Sequence, residues 1–329
     1  DSTPVEEKPP LTSSPKQIQV LLDWMRTHCH DQDSEPTVST YLPNLCRPAN
    51  IQTEAMEMIW QLMEQFDAPW RVQVLGCHAL GLMACDNRSS AIVIPTRGIM
   101  AILQARQRHP DNIAVQESVC KALRLLACSP ENEATIVRAG GRRTILKAMH
   151  EHPGEARLQE EGCGAIANLA CEDNSECMIC GTGSISVILE AIRNHPEEPS
   201  VQASACGALG NLAFNQENRA KILEAGGMKG ITQAMLAFLT HRDLQKQGCW
   251  VLSQLSYDPG CTQDDIVQAG AAVIRAMLTP CHQTDAEIQA CSCAALCNLL
   301  SRSDLPEGTE MAMKEEGQAA ILSALQMHL

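Results

Sequence analysis

One short pattern recurs six times along the chain, and it restricts the fold more than any other feature. The pattern begins with a glutamine and has a cysteine four residues later, with the glutamines at positions 73, 116, 159, 202, 245 and 289. Successive glutamines are 43 residues apart, except for a final step of 44. A fixed period of roughly 20–50 residues is typical of architectures in which each unit packs only against its neighbours. The sequence therefore predicts a solenoid rather than several independent globular domains.

The spacing inside each copy indicates helices. A small and then a larger apolar residue follow the glutamine by six and seven positions, as in Ala208 and Leu209, and with the cysteine they form one buried helical stripe. Glycine permits a sharp break between two helices, and His-Pro pairs such as His195-Pro196 end a helix. We expect a short helix, a glycine break, a second helix, a polar loop and a third helix in each repeat. The break glycines are Gly98, Gly141, Gly183, Gly227 and Gly270, with Gly317 displaced by an insertion.

These residues resemble the armadillo repeat family, whose unit is a short helix followed by two longer ones. The resemblance is carried by residues 132–141, 163–170, 206–213 and 218–227, and it covers residues 69–329. It implies an all-α fold, a right-handed superhelical solenoid of about six armadillo repeats with partial repeats at the ends. HEAT repeats are the nearest alternative, but they have two helices per unit and no glycine break of this kind.

The two ends of the chain depart from the pattern. We expect residues 1–15 to be disordered and residues 16–68 to form an N-terminal helical cap and a degenerate first repeat, with helices at 16–30 and 51–66. Residues 69–329 form the repeat array, which ends inside a seventh repeat after a middle helix at 319–329. Because that helix lacks a following third helix, we expect further protein beyond Leu329.

Composition excludes several classes of partner and compartment. Lys and Arg number 25 against 39 Asp and Glu, and the net charge of −14 repels nucleic acid and anionic membrane surfaces. Seventeen cysteines, an odd number scattered over the chain, are unlike the disulfide framework of a small secreted domain and indicate reduced thiols in the cytoplasm or nucleus. The sequence has no apolar run long enough to span a membrane and no signal-peptide core near its start.

Cysteine groups are the main candidates for metal or redox chemistry. Neighbouring repeats stack about 10 Å apart, so the six repeat cysteines are too distant to share a zinc ion, and core packing is the better interpretation. Cys291, Cys293 and Cys297 lie close enough in sequence to bind a soft metal or to be oxidised, although helix packing is favoured. The CxxC at 177–180 has no second pair, and residues 28–30 fit a surface turn. We therefore predict no metal, no cofactor and, without any catalytic motif, no enzyme activity.

The resemblance also implies a binding face. In armadillo proteins the third helices line the concave surface, and an Asn nine residues after the position of our glutamine holds an extended peptide through its amide. The alternative is that these amides cap or bridge neighbouring repeats. The amides at this position are Asn168, Asn211 and Asn298, with Gln254 in the fifth repeat.

Aromatic residues on this face are few. Import receptors of the family carry a Trp four residues before that Asn, and only Trp250 matches, which argues against nuclear-import cargo. Trp250, with Tyr257 nearby, is either an anchor for a partner or a core residue. Gly164 and Gly207 replace Trp elsewhere and leave a shallow groove that could accept a partner helix.

The functional prediction is a non-catalytic scaffold or adaptor that binds a partner protein segment along the concave groove through Asn168, Asn211, Trp250, Gln254 and Asn298. The partner is expected to be basic or amphipathic, because acidic residues flank the third helices, although an acidic surface can also serve solubility alone. Those residues are Glu117, Glu160, Glu161, Glu172, Asp173 and Glu176. Two alternatives are a regulatory cofactor of a chaperone or small GTPase and the interaction arm of a larger enzyme.

Overall fold

The computed structural model describes residues 23, 49–65, 69–84, 93–170, 181–301 and 307–328. Within these residues the regular secondary structure is entirely helical, which confirms the all-α prediction. The predicted helix at 16–30 and the CxxC at 177–180 lie outside the described residues, apart from residue 23. In chain order the helices are α1 (Ala49–Glu64), α2 (Trp70–Ala84), α3 (Thr96–Arg108), α4 (Ile113–Leu126), α5 (Pro130–Arg138), α6 (Gly141–Glu151), α7 (Ala156–Leu169), α8 (Gly181–Asn194), α9 (Pro199–Leu212), α10 (Gln216–Glu224), α11 (Gly227–Ala237), α12 (Arg242–Leu255), α13 (Gln263–Leu278), a 3-10 helix (Pro280–His282), α14 (Ala286–Leu300) and α15 (Glu307–His328).

The chain divides into two compact units, Asp1–Ala148 and Met149–Leu329. In the first unit the third helices α2 and α4 pack side by side, and in the second unit α7, α9, α12 and α14 pack in that order. The repeat cysteines at 77, 120, 163, 206 and 249 have no exposed surface, as the buried stripe predicts. In each unit the third helices therefore pack against one another, with the cysteine stripe buried between helices.

The glutamine that marks each repeat is a buried clamp between the second and third helices. Gln202 Nε2 donates to Ile192 O at 2.9 Å and to His195 O at 2.7 Å. Gln245 Nε2 makes the equivalent bonds to Met235 O and Phe238 O. Because one side chain satisfies the carbonyl groups at a helix end and in the following loop, it fixes the turn between the two helices. Gln116, Gln159 and Gln289 bond their own turns in the same way, and Gln73 bonds Met63 O.

Loop histidines connect successive repeats in the second unit. His195 Nε2 lies 2.8 Å from Pro153 O, and His282 Nε2 lies 2.9 Å from Leu239 O. A carbonyl oxygen only accepts, so the imidazole donates in both cases. These residues therefore bond one repeat to the preceding one, in addition to marking the end of a second helix.

In the described residues a left-handed break forms at two of the predicted positions, Gly141 and Gly227, where a second glycine precedes the expected one. Gly98 and Gly183 are instead each the third residue of a helix, α3 and α8. Gly140 and Gly226 adopt left-handed φ values of 81° and 74° and separate α5 from α6 and α10 from α11. The predicted breaks at Gly270 and Gly317 are wrong, because α13 and α15 run through them without interruption. Their preceding residues are Ala269 and Glu316, and a Cβ atom disfavours the left-handed conformation.

Candidate functional site

All five predicted contact residues lie on third helices of the second unit. Asn168 is on α7, Asn211 on α9, Trp250 and Gln254 on α12, and Asn298 on α14. Each of the five is half-buried. The shared repeat position therefore places them on one series of adjacent helices.

Two of the amides bridge neighbouring third helices. Asn211 Nδ2 donates to Ala167 O at 2.7 Å, and Asn298 Nδ2 donates to Ser253 Oγ at 2.8 Å. Asn298 Oδ1 accepts a hydrogen bond from the Tyr257 hydroxyl at 3.2 Å. The bridging role considered for these amides thus occurs at Asn211 and Asn298, and a partner backbone would have to share or replace these bonds.

An aromatic group lies beside the amides. The Trp250 ring lies over Gly210, where a Cβ atom would come within 2.5 Å of the ring, so only glycine admits this packing. Phe214 packs against Trp250 with ring centroids 6.0 Å apart and an angle of 58° between the planes. Phe214 and Tyr257 both follow their repeat glutamine by twelve residues, and both are 63% exposed. We call Asn211, Phe214, Trp250, Gln254, Tyr257 and Asn298 the third-helix surface.

Phe214 is the member of this surface that sequence reasoning missed. It lies just beyond the C-cap residue Ala213, outside α9 and outside the motif. The available signal was its register with Tyr257, 43 residues later. Aligning the repeats past the helix end would have found both aromatic residues.

Ion pairs connect the N-terminal ends of α12 and α14. Arg242 bonds Asp285 and Glu287, and Lys246 Nζ lies 3.0 Å from Glu287 Oε2. Hydrogen bonds from the Arg242 guanidinium lower the pKa values of Asp285 and Glu287 below their ordinary range. The Arg242 and Glu287 side chains are half or more exposed, so we expect these pairs to contribute little to stability.

The predicted acidic ridge is only partly described by the structure. Glu117, Glu160 and Glu161 are half-buried near the starts of α4 and α7. The remaining acidic residues, at 172, 173 and 176, lie outside the described residues.

Cysteines in the described ranges do not assemble a metal site, since no group of three His, Cys, Asp or Glu residues there could hold an ion. Cys291 and Cys293 are half-buried and Cys297 is exposed. Burial raises the pKa values of the Cys206 and Cys249 thiols to about 12, so both remain protonated and unreactive at neutral pH. Among the described helices none has the length and apolar character that crossing a membrane requires.

Comparison with known proteins gives one family match. The model of the LRRK2 ARM repeat family matches residues 49–227, more than half of the chain. No curated protein sequence gives a significant match.

Three solved structures share the fold. An engineered protein is 22% identical with a TM-score of 0.52, and the match covers 73% of this chain and 96% of the other. A designed armadillo repeat protein is 18% identical with a TM-score of 0.54, covering 74% of this chain and 99% of the other. A structure from work on a conserved phosphorylation switch that controls the interaction between cadherin and β-catenin is 14% identical with a TM-score of 0.60. The match covers 95% of this chain and 65% of the other.

These similarities agree with the helix pattern and confirm the predicted armadillo fold. At these identities the solved structures bear on the fold alone, whereas the family match rests on the sequence of residues 49–227. The chain belongs to the LRRK2 ARM repeat family.

Proposed function

We propose that this chain is a non-catalytic interaction scaffold or adaptor and that a partner protein segment binds its third-helix surface. Armadillo repeats typically serve as protein-interaction scaffolds. One structural neighbour is described in terms of the interaction between cadherin and β-catenin, which is an example of such a scaffold binding a partner. The cysteines in the described part of the chain form no disulfide, which favours a reducing compartment, the cytoplasm or nucleus.

The exposure of Phe214 and Tyr257 is the observation that carries the proposal. Both aromatic side chains are 63% exposed. Phe214 packs against Trp250, whose ring is held against Gly210, and Tyr257 donates to Asn298 on the next third helix. Aromatic residues are enriched in the energetically dominant parts of protein interfaces. A partner side chain that covers these rings removes apolar area from water without requiring the scaffold to reorganise.

A basic or amphipathic segment fits this surface best. The net charge of −14 favours encounter with a positive partner, and an Arg or Lys side chain gains a cation–π contact on an aromatic face. Asn211 and Asn298 already bond the neighbouring helix. We therefore expect side-chain burial, rather than pairing with a partner backbone, to provide most of the affinity.

The test is photo-crosslinking in a cell lysate followed by mass spectrometry. The wild-type chain is compared with the double variant Phe214→Ser and Tyr257→Ser, which leaves Trp250 and its packing on Gly210 in place. The matched control replaces two exposed apolar residues elsewhere, Met100→Ser and Leu278→Ser, which are 39% and 45% exposed. We expect the control to retain the wild-type partners and the surface variant to lose a defined subset, with equal helicity by circular dichroism. Identical partner sets for all three proteins would overturn the proposal.

A further inference from the structure

An ion pair links the ends of α9 and α12, where the two exposed aromatic residues lie. Phe214 directly follows the C-cap residue of α9, and Tyr257 directly follows that of α12. Arg219 Nη1, on α10, donates to Ala213 O at 2.8 Å and to Phe214 O at 3.1 Å. Arg219 Nε lies 3.9 Å from Oδ2 of Asp258, the residue after Tyr257. One guanidinium group therefore connects the backbone at Phe214 to the turn that carries Tyr257.

The pair is shielded from water. The exposed fractions of the two side chains are 17% for Arg219 and 6% for Asp258. Gly260 N donates to Asp258 Oδ1 at 2.9 Å, which holds the carboxylate within its turn. Oppositely charged groups attract more strongly away from bulk water than on the surface, and removal of one partner of a buried pair is costly. The link is thus able to fix the distance between the two aromatic residues.

Aromatic residues at this register occur only in the two repeats that the pair connects, those of Gln202 and Gln245. Twelve residues after the glutamine, the other four repeats have Cys85, Cys128, Cys171 and Ser301. Seventeen residues after the glutamine, Arg219 is the only basic residue, and the other repeats have Ser90, Glu133, Glu176, Thr262 and Pro306. The repeat pattern therefore requires neither feature, and their occurrence at one place fits a role in recognition.

The space beside these residues does not suit a partner helix. A Cβ atom at Gly207 would lie 3.4 Å from Gln247 Oε1, and one at Gly210 would lie 2.5 Å from the Trp250 ring. Side chains of α12 therefore occupy the shallow groove predicted at Gly207. An extended segment that crosses the exposed aromatic rings requires no such groove.

Polar groups on the third-helix surface already have partners within the chain. Asn211 and Asn298 bond neighbouring third helices, and the Tyr257 hydroxyl donates to Asn298. A partner segment that needs no backbone pairing is therefore favoured. A polyproline II helix meets this condition, because its backbone is solvated and its prolines have no N–H. It has three residues per turn and rises about 3.1 Å per residue, so side chains three residues apart share a face and are about 9 Å apart.

On the basis of the proposed function, we propose that Arg219 and Asp258 fix the spacing of Phe214 and Tyr257, so that the surface selects a polyproline II segment with basic side chains three residues apart. The two aromatic residues have equivalent positions after neighbouring third helices, and the axes of packed helices are about 8–10 Å apart. This distance matches the spacing of side chains on one face of a polyproline II helix. Aromatic-lined surfaces commonly bind such helices, and a basic side chain gains a cation–π contact on each ring. Arg219 and Asp258 are positioning residues, because they act through the aromatic residues.

The test uses three proline octapeptides of identical composition, in which two arginines are two, three or four residues apart. The full chain is labelled with 4-fluorophenylalanine, and its 19F NMR spectrum is followed during titration with each peptide. The chain has three phenylalanines, and the Phe214→Ser variant identifies the resonance of Phe214. Arg219→Gln and Asp258→Asn test the pair, and Lys221→Gln, which also removes one positive charge from α10, is the matched control. Urea denaturation checks that each variant folds.

We expect the peptide with the three-residue spacing to bind about two- to fivefold more tightly than the other two, in the wild type and in Lys221→Gln. In Arg219→Gln and in Asp258→Asn the three peptides should bind equally. Equal binding of the three peptides by the wild type, or a retained preference in the folded pair variants, would overturn the proposal.

The variant Tyr257→Ser separates this proposal from the proposed function. If the wild type binds the three peptides equally and Tyr257→Ser weakens all of them, the spacing rule is wrong and the proposed function stands. If no peptide shifts the Phe214 resonance, or if Tyr257→Ser leaves every affinity unchanged, the surface does not bind a basic segment and both proposals fail.

Discussion

The buried glutamine shows how one side chain can define a repeat. Its amide group donates two hydrogen bonds, while Oε1 of Gln202 and Gln245 has no hydrogen-bond partner among the described residues. The side chain thus satisfies two backbone carbonyls and leaves one of its own acceptors unpaired. Its position was evident from the sequence as a marker, but its role was not, because the acceptors are backbone atoms that no residue pattern encodes.

Replacing this glutamine should destabilise the fold. We expect Gln245→Leu to reduce the free energy of unfolding by about 2–4 kcal/mol, because the carbonyls of Met235 and Phe238 lose a buried donor. Urea denaturation measures the change. The matched control is Gln247→Leu in the same helix, where the side chain is only half-buried, and a loss of equal size there would contradict the clamp.

Thiol reactivity should follow burial. Cys163, Cys206 and Cys249 have no exposed surface, whereas Cys128 and Cys297 are exposed. We expect iodoacetamide to alkylate Cys128 and Cys297 at neutral pH and Cys163, Cys206 and Cys249 only after denaturation, as peptide mass spectrometry can measure. Rapid alkylation of Cys206 in the folded protein would contradict its burial.

At the scale of the element, glycine has opposite roles in different helices. The sequence predicted a break at each of the break glycines, but a break forms after Gly140 and Gly226 and not at Gly270. The decisive residue is the preceding one, which must adopt a left-handed backbone. Sequence periodicity locates the second helices correctly but does not report this conformation, which explains the errors at α13 and α15.

The same substitution should therefore have opposite effects at two glycines. A Cβ atom would meet nothing within 4 Å at Gly140 or Gly183, so packing is not involved at either position. We expect Gly140→Ala to destabilise by about 1 kcal/mol because of its positive φ, and Gly183→Ala in α8 to stabilise by a few tenths up to about 1 kcal/mol. Thermal denaturation of the two variants compares them, and shifts of the same sign would contradict this account.

Asp285, at the N-terminus of α14, both caps the helix and forms an ion pair, and two variants can distinguish these contributions. Asp285 accepts bonds from Glu287 N and Ile288 N and also pairs with Arg242. We expect Asp285→Ala to cost about 1 kcal/mol through loss of the cap, whereas Asp285→Asn keeps the cap and costs less. Both are measured by urea denaturation.

The same carboxylate should make stability depend on pH. Because the pKa of Asp285 is lower in the folded state, its contribution is present above about pH 4 and is lost as the pH falls further. Melting temperatures from about pH 7 to pH 3 should therefore fall less steeply for Asp285→Asn than for the wild type. Parallel curves for the two proteins would exclude this contribution.

At the scale of the whole molecule, the 43-residue spacing predicted a solenoid, and the helical stripe within each copy predicted that it is built of helices. The armadillo fold was predicted from the resemblance of residues 132–141, 163–170, 206–213 and 218–227 to that family. The functional surface was harder to predict, because it depends on exposure. Asn211 and Asn298 were predicted to contact a partner, but in the structure they bond neighbouring helices. Phe214 is exposed beyond the end of α9 and belongs to no motif in the sequence.

Protection from hydrogen exchange should vary along the second unit. Helices α9 and α12 each have a third helix on both sides, whereas Leu322 and Leu325 of α15 are 59% and 52% exposed. We expect backbone amides in α9 and α12 to exchange most slowly and those in α15 to exchange fastest, as measured by mass spectrometry. Equal protection of α9 and α15 would indicate cooperative unfolding of the whole unit.

The glutamine clamp also determines where this chain can gain or lose residues during evolution. The second helix ends eight residues before the glutamine at Gln202 and Gln245, but eleven residues before Gln289. The additional residues form the 3-10 helix, and the bond from Gln289 to His282 seven residues earlier is retained. Insertions are therefore tolerated between the helix end and the bonded loop carbonyl, whereas an insertion between that carbonyl and the glutamine would shift the donor away from its acceptor. Length variation among relatives should therefore accumulate between the helix end and the bonded carbonyl, and it should be rare between that carbonyl and the glutamine.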